Sequence, residues 1–243
     1  MKLSQATIIS LLAGLLAVPV ISPVSAVDNQ YDYHEEEYRD PDPWEPLNRV
    51  VFSFNDSVDT YALRPVAKGY DRVMPTFLND GVTNVFNNLG EPKNLINNLL
   101  QGKLHDAGVD LGRFLLNTTV GVVGVFDVAT RMGLQRNDED FGQTLGAWGV
   151  RSGPYVVLPL LGPSTLRDGS AFAAEGFAGY NYGSQMDHVP TRNTAAAIDV
   201  VDTRARLLSQ ERLIRGDKYR FIRNAWLQNR EFKVQDGQVE DEF

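Results

Sequence analysis

The sequence predicts a mostly α-helical fold interrupted once by a stiff glycine–proline hairpin. Three observations predict it. Apolar residues recur every three to four positions over most of residues 44–233, the period of an amphipathic helix. Residues 141–170 break that rhythm with Gly and Pro around the apolar run from Tyr155 to Leu161. Beyond the N-terminal region, no segment has the roughly 18 apolar residues that a spanning helix needs.

The first residues read as an address. Lys2 supplies a positive start, residues 7–21 an apolar run, and Val24-Ser25-Ala26 the small residues before a cleavage point. Residues 1–26 are therefore expected to be a bacterial-style signal peptide, cleaved after Ala26. The run is short and carries Pro19 and Pro23 near its end, which argues against an uncleaved anchor. Residues 27–43 are acidic and almost free of aliphatic side chains, so they read as a disordered linker. Residues 234–243 read as a second disordered tail, which leaves a helical domain over 44–233.

Within that domain Leu47, Val50, Val51, Phe54, Val58, Tyr61 and Ala62 form one stripe, ended by Pro65. Val66, Tyr70 and Val73 form the next, stopped by Pro75. Residues 79–103 read as two short helices around Gly90-Glu91-Pro92, the first capped by Asn79 or Asp80. Val82, Val85, Phe86 and Leu89 give the first an apolar face; Asn84, Asn87 and Asn88, then Asn97 and Asn98, form an amide face opposite. Leu104, Ala107, Leu111, Phe114 and Leu115 repeat the pattern before the hairpin section. Residues 192–216 and 217–232 return to amphipathic helix, more charged and more wetted. Polar faces of short amides, Gly and Ser suit helices with apolar groups on one side and a confined polar lumen on the other.

Composition excludes several kinds of chemistry. The chain has no cysteine, so disulfides, Cys-based metal sites, thiol catalysis and a lipidated N-terminal Cys are all unexpected. Without the signal, 22 Lys and Arg face 31 Asp and Glu, a net charge of −9. A nucleic acid partner is therefore not expected, because phosphate binding needs a clustered basic surface. His34, His105 and His188 stand in no ligand-spaced motif, so no metal site is expected. Ser164 lacks the second glycine of a nucleophile elbow, and Gly121 and Gly124 lack a βαβ context. Residues Asn137–Phe141 lack EF-hand spacing and read as a solvated turn. No catalytic residue and no cofactor are expected, and any energy must come from partners.

Six motifs stand in one order: DPWEPLNRVVFSFND, RPVAKGYDRVMP, NNLGEPKNLINNLLQGK, RFLLNTTVGVVGVFDVA, EDFGQTLGAWGV and GPYVVLPLLGPSTLRD. Together they resemble the MlaA (VacJ) family of bacterial outer-membrane phospholipid transport proteins, over about residues 40–235. The resemblance implies a ring of short amphipathic helices with a central channel, lying in the inner leaflet of the outer membrane on its periplasmic side. It implies that phospholipid strayed to the outer leaflet passes through the channel to a periplasmic lipid carrier of MlaC type, which maintains lipid asymmetry. It implies docking to a trimeric porin.

The family's pore hairpin matches Phe141 to Gly162. The resemblance thus puts Phe141, Gly149, Gly153, Pro154, Tyr155, Leu158 and Pro159 on the lipid path. The pore-control segment of the first helix matches Phe54 and Asn55. A polar wall suits this task because an unpaired charged headgroup is costly to bury in hydrocarbon. An outward apolar stripe can hold such a ring in one leaflet, since each large side chain buried contributes roughly 1.5–3 kcal/mol. Gly149 and Gly153 allow tight turning, and Pro154 and Pro159 stiffen it. Family members are commonly anchored through a lipidated cysteine; here membrane residence is expected to rest on the helix ring and the porin contact. Two other readings are a porin-docking structural adaptor that moves no lipid, and a lipid hydrolase using Ser164 with His188 or His105.

Overall fold

A computed structural model describes residues 41–179 and 182–237. The expected signal peptide, the linker up to residue 40 and the tail beyond 237 lie outside the described residues.

Helix α1 (Glu45–Val58) runs through a π-helical turn, Asp59–Leu63, into α2 (Arg64–Val73). Pro65 does not end the helix, contrary to the sequence expectation. A proline ring inside an α-helix strikes the carbonyl four residues back. Here the turn just before it is widened: the Arg64 N–H donates to Asp59 C=O, five residues back. Helix α2 does stop where expected. Met74 is extended at ψ 119°, as the residue before Pro75 must be.

Residues 76–100 form one helix, α3 (Thr76–Leu100), with Pro92 inside it. Two short helices were expected. The break does not occur because the buried face is bonded across to α4 (Leu104–Thr119) on both sides of Pro92. Asn88 Nδ2 donates to Thr118 Oγ1 at 2.9 Å, Arg113 Nε to Glu91 at 2.7 Å, and Asn98 Nδ2 to Asp110 at 2.7 Å. Positions falling along α3 meet positions rising along α4, so the two helices are antiparallel. The cap is also elsewhere than expected: the N–H groups of Leu78 and Asn79 bond the Pro75 carbonyl, and the helix begins at Thr76.

A short helix α5 (Val128–Arg131) follows, then α6 (Phe141–Ala147), capped by the Asp140 carboxylate on the Gln143 N–H at 2.9 Å. The non-helical insertion is thus narrower than the expected 141–170. It contains an antiparallel hairpin, β1 (Tyr155–Leu158) and β2 (Gly162–Thr165), with Tyr155 opposite Thr165 and Leu158 opposite Gly162. Thr165 caps α7 (Leu166–Ala178). Helices α8 (Val189–Leu207) and α9 (Lys218–Val234) complete the order, with 3-10 turns at Tyr182–Gln185 and Leu208–Leu213.

The fold begins before Trp44. Asp42 is buried; it accepts from Asn48 Nδ2 at 2.7 Å, from Arg223 at 2.9 Å and from the Tyr219 hydroxyl. It also runs past residue 233, since Asp236 takes the Lys103 ammonium. The expected solvated turn at Asn137–Phe141 is tied down as well. Glu139 is buried, Asn137 donates to Asp110, and Asp138 holds Lys233 at 2.5 Å.

Packing among the described residues is inverted. Large buried apolar side chains gather at one place, where Tyr155 and Val157 of β1 meet Tyr219 of α9. The α3–α4 interface instead buries Asn88, Glu91, Asn98, Asp110 and Arg113, while Asn94 is buried against the 137–139 turn and Asn117 against the start of α5. Arg113, 1% exposed, uses its guanidinium on Glu91, Asp127, Thr130 Oγ1 and the Leu134 carbonyl. Bonding of that completeness makes polar burial tolerable. The apolar stripes face outward: Leu104 is 73% exposed, Leu47, Val50 and Phe54 stand open along α1, and Tyr61 stands open in the π-helical turn after it.

Candidate functional site

A cavity of about 590 Å³ lies between α3, the 136–140 turn, α6, α7, α8 and α9. Phe86 and Leu89 of α3, Phe172 of α7 and Trp226 of α9 give it an apolar side. The rest of its wall is charged. Arg230 reaches from α9 to Asp140 at 2.6 and 2.7 Å and to Asp168 at 2.8 Å. Burial works against the Asp140 carboxylate, yet the hydrogen bonds and charge of Arg230 hold it well below the usual carboxylate range. Glu175 goes the other way. Burial pushes it up, against the nearby Lys93 charge and the Phe141 N–H that it accepts at 2.7 Å.

Gly142 makes the Arg230 pairing possible. A Cβ at that position would sit 2.3 Å from the Arg230 guanidinium and 2.4 Å from the Asp168 carboxylate. Glycine alone leaves room for them. Sequence reading missed Gly142, Lys93 and Arg230. Their one signal is the Asp140-Phe141-Gly142 start of α6, where a capping residue precedes a glycine that helix propensity disfavours.

The segment from Phe141 to Gly162 is held at several points. Phe141 opens α6 and meets Trp148 edge to face at 6.3 Å. Gly149, at φ 86°, closes α6, and Gly153 is at φ 68°; both are left-handed conformations that glycine takes without strain. The Pro154 carbonyl accepts the Leu166 N–H. Tyr155 is buried against Tyr219 and Trp226. Pro159 is exposed at the turn. The cavity wall draws Gly142 from this segment, while Phe141, Gly149, Gly153, Pro154, Tyr155, Leu158 and Pro159 stand outside that wall.

Two asparagines of α1 grip the hairpin backbone. Asn48 Nδ2 donates to the Tyr155 carbonyl at 3.0 Å, and its Oδ1 accepts the Val157 N–H at 2.9 Å. Asn55 repeats the grip: Nδ2 donates to the Leu158 carbonyl at 3.0 Å and Oδ1 accepts the Leu160 N–H at 2.8 Å. Asn55 thus joins the first helix to the hairpin, while its neighbour Phe54 points away, 53% exposed. Of the expected amide face, Asn87 lines the cavity. Asn88, Asn97 and Asn98 are buried instead in bonds to Thr118, Thr144 and Asp110, because the helix carrying them packs against its neighbours there.

The hydrolase residues do not meet. Ser164 is buried in β2 with its Oγ on the Thr165 carbonyl, His105 bonds Asp106, and His188 bonds Thr191. Among the described residues, no three His, Cys, Asp or Glu are grouped to hold a metal ion. None of the described helices is long and apolar enough to cross a membrane.

The family model described as MlaA lipoprotein matches residues 40–233. The chain is similar to the intermembrane phospholipid transport system lipoprotein MlaA of Escherichia coli, 38% identical over 204 residues, 82% of this chain and 80% of the relative. The protein of that same description from Haemophilus influenzae is 36% identical over 204 residues, 82% of this chain and 81% of the relative. A solved structure described as the structural basis for maintenance of bacterial outer membrane lipid asymmetry resembles it with a TM-score of 0.71 and 35% identity, over 81% of this chain and 100% of that one.

Proposed function

Because the chain belongs to the MlaA lipoprotein family, we propose that it transports phospholipid in the outer membrane, taking mislocalised lipid from the outer leaflet and maintaining lipid asymmetry. The observation that carries this reading is the inverted packing. Charged and amide side chains fill the interior while large apolar ones face out. A headgroup could then move along polar walls without entering hydrocarbon, where an unpaired charge is very costly. The outward side chains would meet acyl chains. Each contributes roughly 1.5–3 kcal/mol when lipid replaces water around it, so a handful holds the protein at a leaflet.

The cavity between α3 and α6–α9 supports a central channel within a ring of helices, with the Phe141–Gly162 segment as its gate and Asn55 as the link from α1 to that gate. The protein lies in the inner leaflet on the periplasmic side, docks to a trimeric porin and hands lipid to a soluble carrier of MlaC type. Its role is non-enzymatic, with direction and energy supplied by partners. The 243 residues contain no cysteine, so within them no thiol can carry a lipid, and the apolar belt together with the porin contact holds the membrane. Organic extraction of detergent-purified protein followed by lipid mass spectrometry tests the reading. Co-purifying glycerophospholipid is expected. Lipid-free protein that still captures porin would favour the structural adaptor, and release of fatty acid would favour a hydrolase.

A further inference from the structure

Lys93 is the cavity cation whose charge acts on Asp138, Asp140 and Glu175 while its ammonium bonds none of them. The other cations of the wall are committed: Arg230 to Asp140 and Asp168, Arg206 to Asp202 at 3.2 Å, and Arg136 to Asp138 at 3.7 Å. Among the described residues the Lys93 ammonium makes no hydrogen bond and no ion pair. Its backbone is well fixed, since Asn97 Nδ2 bonds the Lys93 carbonyl at 3.0 Å and the flanking Glu91 and Asn94 are fully buried. An ammonium on a half-buried residue of a well-fixed helix, with its donors unused, is suited to a phosphate oxygen.

Its neighbours along the helix add a second observation. Phe86, Leu89 and Lys93 line the same cavity wall at helical spacing. Along α3 the wall passes from two apolar side chains to one cation, the order in which a lipid passes from glycerol ester to phosphate. Phe172 and Trp226 extend the apolar surface from α7 and α9. Resting on the transport reading above, we infer that Lys93 binds the phosphodiester of a glycerophospholipid held in this cavity, with the glycerol end against Phe86 and Leu89.

The test compares wild type, K93Q and K93R purified in one detergent, with phospholipid per chain measured by phosphorus assay and mass spectrometry. A hydrogen bond to a charged group predicts about tenfold weaker lipid retention in K93Q, with K93R close to wild type. Wild type without lipid would bring down the transport reading and this inference together. Lipid-loaded wild type matched by K93Q would overturn the Lys93 assignment alone. A phospholipid with a photoreactive headgroup, applied to wild type, reads the same contact without any variant. Labelling should include the peptide that carries Lys93, and labelling confined to other peptides overturns the assignment. Delipidated wild type is also titrated with inorganic phosphate and with a short-chain phosphatidylethanolamine. Tighter binding of the lipid is expected, whereas equal binding of inorganic phosphate would make this a site for the free anion.

Discussion

Asn48 and Asn55 stand seven residues apart on α1 and grip the hairpin at two places, Tyr155–Val157 within β1 and Leu158–Leu160 where β1 enters the turn. Two helical turns rise about 10.5 Å. Three extended residues advance about 10 Å. The two grips therefore match in spacing, and α1 supports the hairpin at both places. Leu160 needs this support because it sits at φ 63°, a conformation costly for a branched L-residue. Replacing Asn55 by Ala should cost about 0.5–1.5 kcal/mol, since a half-buried carbonyl and an exposed amide each exchange a protein partner for water. Hydrogen exchange should quicken at the Leu160 amide while Val157, held by Asn48, stays protected. Equal loss at both amides would mean that the hairpin moves as one body, independent of the two grips.

The outward face of α1 predicts a separation of folding from membrane binding. Phe54 is about half exposed and Val50 more so, so neither contributes much to internal packing. Phe54→Asp should leave the melting temperature in detergent nearly unchanged. It should weaken vesicle flotation by about tenfold or more, the effect of losing roughly 1.5–3 kcal/mol of apolar burial. A large drop in melting temperature with unchanged flotation would place the side chain in an internal contact instead.

Arg113 should behave oppositely. Its removal leaves Glu91 buried and unpaired, which predicts about 3–5 kcal/mol of destabilisation for Arg113→Met. Adding Glu91→Gln removes the stranded charge, so the double variant should recover part of that loss in a denaturant titration. Additive losses would show that the two side chains do not depend on each other.

What could be read in the sequence follows from how local each cause is. The 3.6-residue period of α1, α2, α4 and α9 lies within each segment, and those helices stand where the pattern predicts; α8 stops at Leu207, short of the expected residue 216, and passes into a 3-10 turn. Pro65 and Pro92 were read by a local rule, that proline ends a helix. The rule yields to a widened turn in one case and to partners on another helix in the other, since Glu91 and Asn98 are held by residues of α4. The cavity wall was hidden for the same reason. Arg230 and Asp140 are 90 residues apart, and nothing near either one marks the other. Asn55 came from the family resemblance; its grip on the hairpin depends on a strand about a hundred residues away.

Asp110 gives the α3–α4 interface a pH dependence. Burial, helped by Glu91, pushes its carboxyl up to about 6, against the hydrogen bonds of Asn98 and Asn137. Between the ordinary value of 3.8 and about 6 the folded chain holds a proton that the unfolded chain does not. This stabilisation is fully present below about pH 4 and is lost as pH rises through 6. Asp110→Asn has no charge to bury, so its stability relative to wild type should improve between pH 4.5 and 7.5, by at most about 2 kcal/mol. Denaturant unfolding at those two pH values reads the change, and any constant offset from the new amide cancels. Parallel curves would mean that the Asp110 charge is solvated.

The loop after α4 should respond to one substitution with opposite signs in two assays. Val122 and Val123 stand at φ 53° and 57°, where a β-branched residue costs roughly 1–2 kcal/mol. Asn or Gly would relieve that strain. Yet both valines are open, Val123 at 67% exposure, with Val120 and Phe126 exposed beside them. The loop's own amides are well paired: Val123 N–H bonds Thr118 C=O, Gly124 N–H bonds Asn117 C=O, and Phe126 N–H bonds Gly121 C=O. Paired backbone is what hydrocarbon demands and water does not. If these side chains face acyl chains, Val122→Asn should raise the unfolding free energy in detergent by about 1 kcal/mol and weaken vesicle binding several-fold at once. A fall in both would show that Val122 is held by protein contacts, and the strain would then need a different cause.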